Sequence, residues 1–419
     1  MSVVEGVAAP ADGDELKCKE IKDFPAVNCG HVMNGMTGDV VSNHILRSPT
    51  EATAGNAKEH PLTQDDDDLP SNFKERKFRL ISRSIENGRT RDLKSIAISE
   101  LGLISDGVRR LVWPKIGGVS MYETSPRPAV QDIESHPYYD QVVLDVKRSL
   151  RRFPPSIAEA HRMQLQDKLV FMIMRVLMKN PQLHYYQGYH DICVTILLVL
   201  GEEVGFLLVE KLSRTNLSVF MEKTMAHTAD ILEHIYEILE NESPKLKTFL
   251  ESAAVGIMFC LSWVITWFGH VLNDYNTVVR LFDLFLASHN WMPIYLSAAI
   301  VLHKEKEILA LDCDMAPVHS YLSKVIEEEL PFEALIKKAS HLMELHPPAK
   351  IKLEHAERVE EMRKKDERES RLRKCFSYVG SFYKGRLGPY FIVATAVAVL
   401  AIVFRVYGRR GRYLPLIGW

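Results

Sequence analysis

One arginine and one glutamine in this chain stand where they could act on a phosphoryl group. Arg148 follows Asp145 by three residues, and Gln187 directly precedes Gly188. A guanidinium can neutralise the charge that develops on phosphoryl oxygens during nucleotide hydrolysis. A carboxamide both donates and accepts hydrogen bonds, so it can orient the attacking water. Offered together from helix ends, the two side chains could complete the GTP-hydrolysis site of another protein.

Each of these residues also has a plainer interpretation. Arg148 stands beside Lys147, Arg151 and Arg152, and taken alone it would be a basic residue of the surface. The Gln187-Gly188 pair, taken alone, would be an ordinary turn between two helices. Further motifs are therefore needed before either residue can be assigned a function.

The elements that must position these residues are predicted to be helices. Apolar residues recur every three to four positions from Phe73 onward, and no alternating run bounded by Asn-Gly or Asp-Gly turns indicates a strand. Ser105 is predicted to cap a helix that Pro114 ends, and Asn180 with Pro181 ends the long helix before Gln187. The sequence thus predicts an all-α body of roughly 250 residues. The predicted helices cover 106–113, 138–150, 157–179, 192–200, 202–214, 227–241, 245–260, 262–272, 276–288, 291–304, 314–327 and 331–345.

Composition and motif content argue against several classes of function. Lys and Arg number 52 against 54 Asp and Glu, so no charge excess favours a nucleic-acid partner. The six cysteines form no CxxC pair, as is typical of reduced cytosolic thiols. No glycine-rich phosphate loop is present, so we expect that the chain does not bind GTP itself. His184 and His190 flank Gln187 without further ligands at metal spacing, so no metal site is predicted, and Asp314 is interpreted as a helix cap.

The chain divides into five predicted regions. A charged stretch with Glu placed four residues before Lys or Arg predicts a solvated helical spacer. The apolar, charge-free run from Tyr390 to Phe404 predicts a membrane span at the short end of the usual length, suited to a thin membrane such as the endoplasmic reticulum. A buried terminal helix and a lipid-curving hairpin are the alternatives for this run. The regions are a disordered 1–72, an all-helical body 73–346, the spacer 347–389, a transmembrane anchor 390–407 and a short lumenal tail 408–419.

Three motifs in this order resemble those of TBC-domain proteins, the family of Rab GTPase activators. The family motifs are Arg-x-x-x-Trp-Pro, Ile-x-x-Asp-x-x-Arg and Tyr-x-Gln-Gly. The second motif begins here with Val rather than Ile, and the third is followed by His190 where Asn is usual. The resemblance covers roughly residues 102–330, because Trp263, Trp267 and the segment Arg280–Asp283 also resemble the second half of the family fold. The three motifs lie at Arg109–Pro114, Val142–Arg148 and Tyr185–Gly188.

The resemblance implies a role for each matching residue. The fold would be a multi-helix TBC domain of two helical halves. Arg148 would act as an arginine finger, and Gln187 would replace the glutamine of the Rab as the residue that orients water. Asp145 would hold Arg148 or contact the switch region of the Rab. The remaining matches are supporting or Rab-binding residues, with Trp263 and Trp267 assigned to the core: Arg109, Trp113, Tyr185 and Gly188.

The resemblance further implies a function in membrane traffic. The chain would accelerate GTP hydrolysis by Rab-family GTPases of the early secretory pathway, with no cofactor of its own, since the Rab carries GTP and Mg²⁺. The C-terminal anchor would place it in the endoplasmic reticulum membrane, or at the Golgi, with links to autophagosomes and lipid droplets. The alternative is a non-catalytic Rab-binding or membrane-shaping scaffold. The sequence does not identify the Rab.

Overall fold

The computed structural model of the chain describes residues 69–120, 122–149, 159–383 and 397–398. Every regular element within these ranges is a helix and none is a strand, so the all-α prediction is confirmed. The first nine α-helices are α1 (Leu69–Glu86), α2 (Thr90–Ile98), α3 (Asp106–Gly117), α4 (Val130–Glu134), α5 (Tyr139–Ser149), α6 (Glu159–Lys179), α7 (Tyr189–Leu200), α8 (Glu202–Ser213) and α9 (Ala226–Glu233).

The second half of the described chain is built in the same way. Short 3-10 helices at Ser218–Met221 and Val325–Glu327 join some of its elements. The remaining α-helices are α10 (Ile235–Glu242), α11 (Pro244–Ser252), α12 (Met258–Ile265), α13 (Tyr275–Ala287), α14 (Met292–His303), α15 (Glu305–Ile308), α16 (Met315–Lys324), α17 (Phe332–Leu345) and α18 (Pro348–Tyr383).

Two boundaries near the N-terminal side of the body differ from those predicted. Helix α1 begins at Leu69, inside the region predicted to be disordered, because Pro70 is compatible with a first helical turn. Ser105 caps α3 as predicted, but Pro114 does not end this helix. The helix continues to Gly117, and Gly118 at φ +68° closes it while the Val119 N–H donates to the Pro114 carbonyl at 2.9 Å.

Three predicted helices in the second half were also wrong, each for a local reason. The stretch 227–241 is divided at His234. Its ring contacts the carbonyls of Asp230 and Ile231 and so competes with the backbone hydrogen bonds of the helix. The stretch 245–260 breaks where Ala254 and Gly256 take positive φ. The stretch 262–272 is not a helix of its own, because α12 ends at Ile265.

A single buried cluster joins the two helical halves. Helix α13 packs against both α2 and α3, so the halves share one core. At this contact the fully buried Asp283 accepts hydrogen bonds from Arg109, from the Trp113 indole at 2.7 Å and from the Leu103 N–H at 2.9 Å. Arg109 also pairs with Asp106 at 3.0 Å. A buried carboxylate needs such donors, so this node fixes α13 to α3.

The charged helix α18 differs from the solvated spacer that was predicted. Its first turns pack on the body, because Ile351 and His355 are buried and Arg358 pairs with Glu237 and Glu233. Glu354 therefore does not hold Arg358, although Glu360 pairs with Lys364 as the spacing predicted. The described side chains from 361 to 374 are all exposed. The solvated part of the helix thus begins at about residue 361, whereas the predicted spacer begins at 347.

Some predictions fall outside the described residues. These predictions concern residues 1–68 of the N-terminal region, the tail 408–419 and, apart from Val397 and Ala398, the span 390–407. Among the helices that the structure describes, none combines the length and the apolar character needed to cross a bilayer.

Candidate functional site

One cavity of about 510 Å³ gathers side chains from three parts of the body. The C-terminal half of α5 contributes Asp145 and Arg148, and the turn before α7 contributes Gln187. Helix α12 and the turn that follows it form the remaining wall. The structure therefore brings together the arginine and the glutamine that the sequence singled out. The other lining residues are Gly188, His190, Asp191, Met258, Leu261, Ser262, Ile265, Thr266, Gly269 and His270.

Arg148 is only loosely held at its position. Val142 and Val146 are fully buried, so the apolar face of α5 packs inward and directs Asp145 and Arg148 toward the cavity. The Arg148 side chain is 71% exposed, and its Nη1 lies 3.6 Å from Asp145 Oδ1. At this distance the contact is an ion pair without a good hydrogen bond. The guanidinium can therefore still form hydrogen bonds to an incoming group.

Gln187 is presented by a turn in which glycine is strongly preferred at position 188. Gly188 caps α7 with φ at +106°, a conformation that side chains of L-residues disfavour. A Cβ atom at Gly188 would also lie 2.7 Å from Thr266 Cγ2, which is too close for van der Waals contact. Gln187 itself is exposed, and within the described part of the chain its carboxamide has no hydrogen-bond partner. Both constraints keep the carboxamide at the cavity and available.

A chain of polar side chains extends along the cavity wall behind Arg148. Tyr185 donates to Asp145 Oδ2 at 3.2 Å, and its hydroxyl also lies 3.0 Å from His190 Nδ1. His190 Nε2 lies 3.5 Å from Asp191 Oδ2. The same Asp191 oxygen lies 3.0 Å from Nδ1 of His270, a half-exposed residue at the far end of the chain. The arginine is thus connected to a second part of the wall through four intervening side chains.

Burial determines the protonation of this chain near neutral pH. Burial raises the pKa of the Tyr185 phenol, and the nearby Asp145 carboxylate raises it further. Burial also lowers the pKa of His190, although Asp191 and Asp145 act in the opposite direction. We therefore treat Tyr185 as a protonated phenol and His190 as a neutral imidazole.

The wall opposite Arg148 ends in a strained turn. After α12, Trp267 and Phe268 take φ of +49° and +64°, which bulky side chains rarely adopt. Both rings are buried and pack against Phe282 and Phe285, with centroid separations of 5.2 Å for Trp267–Phe282 and 6.1 Å for Phe268–Phe285. The turn returns the backbone toward α7, where a Cβ atom at Gly269 would lie 3.3 Å from the Asp191 carbonyl oxygen.

This wall was not predicted from the sequence. Trp267 was assigned to the core, as its burial confirms, but no pattern pointed to Thr266, Gly269 or His270. Gly269, inside the stretch predicted as helix 262–272, was the available signal, because an isolated glycine in a helical pattern can mark the end of a helix.

Other residues singled out in the sequence lie away from the cavity. Arg109 and Trp113 do not line it and belong to the Asp283 node. His184 does not line it either, and its Nδ1 lies 2.7 Å from the Tyr138 hydroxyl. Asp314 occupies the N-cap position of α16 without a side-chain hydrogen bond to the helix, so the capping bond predicted there does not form.

Comparisons with known proteins agree with this architecture. Residues 106–309 match the sequence model of the RabGAP-TBC family, described as a Rab-GTPase-TBC domain. The chain is 51% identical over 264 residues to TBC1 domain family member 20 of Bos taurus and 50% identical to that of Homo sapiens. Each match covers 63% of this chain and 65% of the relative. The GTPase-activating protein gyp10 of Schizosaccharomyces pombe is 33% identical over 257 residues, which are 59% of this chain and 66% of that protein.

A solved structure supports the fold independently. The crystal structure of the Chlamydomonas flagellar RabGAP TBC domain matches with a TM-score of 0.50 at 16% identity, covering 64% of this chain and 91% of that one. At this identity the match concerns the fold alone. Together with the family match at 106–309 and the half-identical relatives, the fold shows that this part of the chain is similar to TBC-domain proteins.

Proposed function

We propose that this protein is a GTPase-activating protein for Rab-family GTPases and that it acts with Arg148 and Gln187 in trans. The observation that carries the proposal is the presence of an exposed guanidinium and an unpartnered carboxamide at one cavity. The name of gyp10, a GTPase-activating protein, supports the same activity. The GTPase would carry GTP and Mg²⁺ into the complex, and this chain would supply the two side chains.

The geometry suits the chemical demand of phosphoryl transfer. Negative charge spreads over the phosphoryl oxygens in the transition state, and an arginine supplied in trans accelerates such reactions by about 10³–10⁵, or roughly 4–7 kcal/mol. Arg148 can bridge two oxygens, since its single contact with Asp145 leaves most of its N–H groups available. Gln187 can donate and accept at once, as a residue that orients water must.

The experiment is single-turnover GTP hydrolysis by a panel of purified Rab proteins with the full-length chain in detergent. We expect acceleration of one or a few Rabs, and a loss of at least about 100-fold with Arg148→Ala and with Gln187→Ala. Binding of the GTP-loaded Rab should persist in both variants. If Rab binding occurs but the wild-type chain accelerates no Rab in the full panel, the chain is the scaffold rather than the activator.

We further propose that residues 390–407 anchor the protein in the endoplasmic reticulum membrane and that its substrates are Rabs of early secretory traffic. The support for the anchor is a charge-free apolar run of fifteen residues, Tyr390–Phe404, flanked by basic residues. Alkaline carbonate extraction of cell membranes provides the test. Retention of the full-length chain and release of a chain ending at residue 389 would support the anchor, whereas release of both would refute it.

A further inference from the structure

The hydrogen-bond chain behind Arg148 has a defined direction. The Tyr185 hydroxyl has one proton and two neighbours, Asp145 Oδ2 at 3.2 Å and His190 Nδ1 at 3.0 Å. An ionised carboxylate only accepts hydrogen bonds, so the Tyr185 hydroxyl donates its hydrogen bond to Asp145. His190 must then donate its Nδ1–H to the tyrosine oxygen. The alternative direction would leave a buried carboxylate oxygen without its tyrosine donor, which is unfavourable.

The other end of His190 is consistent with this direction. Its Nε2 lies 3.5 Å from Asp191 Oδ2, beyond the range of a good hydrogen bond. His270 Nδ1 approaches the same oxygen more closely, at 3.0 Å, and donates to it. Asp191 therefore does not require a proton from His190. The neutral imidazole, whose pKa burial lowers, can keep its single proton on Nδ1.

Asp145 links the hydrogen-bond chain from His190 and Tyr185 to Arg148. Its side chain is 6% exposed, and its two oxygens have different partners: Oδ2 accepts from Tyr185, and Oδ1 lies 3.6 Å from Arg148 Nη1. The tyrosine bond fixes the plane of the carboxylate, and that plane sets where Oδ1 meets the guanidinium. Without it the carboxylate can rotate and draw the arginine into a tighter, unproductive pair.

We propose that His190 is a positioning residue for Arg148. Its Nδ1–H directs the Tyr185 proton to Asp145, and that carboxylate then holds the guanidinium in a reactive orientation. The imidazole does not need to touch the substrate. This role rests on the proposed GTPase-activating function. It predicts that full activation requires a hydrogen-bond donor at the δ position of residue 190.

Two substitutions separate this role from simple packing. Asparagine places an amide N–H at the δ position, where it can still donate to Tyr185. Glutamine places its amide one bond further out, where it resembles Nε2 instead. We expect His190→Gln to lower kcat by about 10- to 100-fold with little change in KM for the GTP-loaded Rab, and His190→Asn to retain most of the activity. Loss of packing alone would affect both variants similarly.

A second substitution tests the intermediate residue, with a matched control. Tyr185→Phe should lower kcat as much as His190→Gln does, and the double variant should be no worse than either single one. The control is Tyr189→Phe, which also removes a buried hydroxyl, but one that bonds Ser213 at 2.6 Å on α8. This control should leave kcat unchanged.

Nitrogen-15 NMR of the histidine rings in the full-length chain reads the proton position without any GTPase. The His190 signal, assigned by its loss in His190→Asn, should show the Nδ1–H tautomer at neutral pH. The Nε2–H tautomer, or equal kcat losses in the Asn and Gln variants, would overturn the proposal. If the wild-type chain activates no Rab, the proposed GTPase-activating function fails. The tautomer then tests the hydrogen-bond chain by itself, and an Nδ1–H tautomer that persists in Tyr185→Phe would overturn the proposed link between His190 and Tyr185.

Discussion

The Arg109–Asp283 pair and the Arg148–Asp145 pair both join a guanidinium to a buried carboxylate, yet their surroundings differ. The Arg109 side chain is 7% exposed and approaches Asp283 through both Nε and Nη2, at 3.0–3.2 Å. The Arg148 side chain is 71% exposed and has a single 3.6 Å contact with Asp145.

The difference distinguishes a structural arginine from one that is available for chemistry. A buried ion pair is compatible with folding only when nearly every donor and acceptor is satisfied, and Arg109 meets that demand. A residue that stabilises a transition state must instead keep N–H groups for the substrate. Arg148 meets this second demand, because Asp145 contacts only its Nη1, at 3.6 Å, and most of the side chain is exposed to solvent.

The largest expected effect comes from replacing the exposed arginine by lysine. Arg148→Lys keeps the charge but loses the planar fork, so we expect GTPase activation to fall by about 10³-fold or more. The unfolding free energy should change by less than about 0.5 kcal/mol, since exposed pairs contribute little. Single-turnover hydrolysis and chemical denaturation of the same samples measure the two quantities. A large stability loss would mean that this arginine is structural.

The next effect concerns the buried pair and is expected in stability rather than in activity. Asp283→Asn removes the buried counter-charge of Arg109 and leaves it only the partly exposed Asp106, which should lower the unfolding free energy by about 3–5 kcal/mol. The matched change Asp145→Asn should cost less than about 1.5 kcal/mol, because solvent still reaches its arginine. Urea denaturation of both variants makes the comparison, and equal losses would contradict the proposed difference between the pairs.

A smaller effect is expected at the turn that presents Gln187. Gly188→Ala introduces a Cβ into a left-handed conformation and against Thr266, so we expect a loss of about 1–3 kcal/mol in stability together with reduced activation. Gly118→Ala is the control, because Gly118 also has a positive φ but nothing lies within 4 Å of its Cβ position. Adding Thr266→Ser removes the clashing methyl group and should rescue part of the loss at 188 alone.

The smallest effect is a pH dependence near the buried pair. Lys77 donates to the Ser99 carbonyl at 3.2 Å, and burial, followed by the charge of Arg280, lowers its pKa from 10.5 to about 8. Between these values the unfolded chain binds a proton that the folded chain has released, so stability should rise with pH by at most about 1.4 kcal/mol per unit.

Denaturation midpoints measured from pH 8 to 9.5, below the titration of ordinary tyrosines, test this rise. The variant Lys77→Met removes the buried amine, and its stability should increase less with pH over the same interval. An identical slope in the variant would assign the pH dependence to other groups.

The sequence predicted the elements well where local signals dominate. Ser105 and Asn180-Pro181 marked helix ends correctly, and the three motifs led to the two residues that meet at the cavity. The boundaries failed where tertiary contacts override local preference. Trp267 with Phe268 ends α12 because burial of both rings stabilises a strained turn. The end of α3, by contrast, is set locally by Gly118, which lies four residues beyond Pro114.

The far wall of the site could not be predicted for a similar reason. Arg148 and Gln187 lie near each other in the chain and in short motifs, whereas Thr266 and His270 follow about eighty residues later. Their approach to α7 depends on the packing of Gly269 against the Asp191 backbone and on a clash-free Gly188. Such close contacts between distant segments leave no periodic signal in one sequence.

Helix α18 sets the direction in which the chain leaves the body. Ile351, His355 and Arg358 fix its first turns, and residues 359–383 continue as one helix about 37 Å long. A flexible coil with the same number of residues would average about 28 Å between its ends and would have no fixed direction. A helix instead rotates by about 100° per residue. Inserting two residues would therefore lengthen the helix by only about 3 Å, but it would rotate the helix end by about 200° around the helix axis. Insertions thus change the side on which the helix ends much more than the distance that it spans.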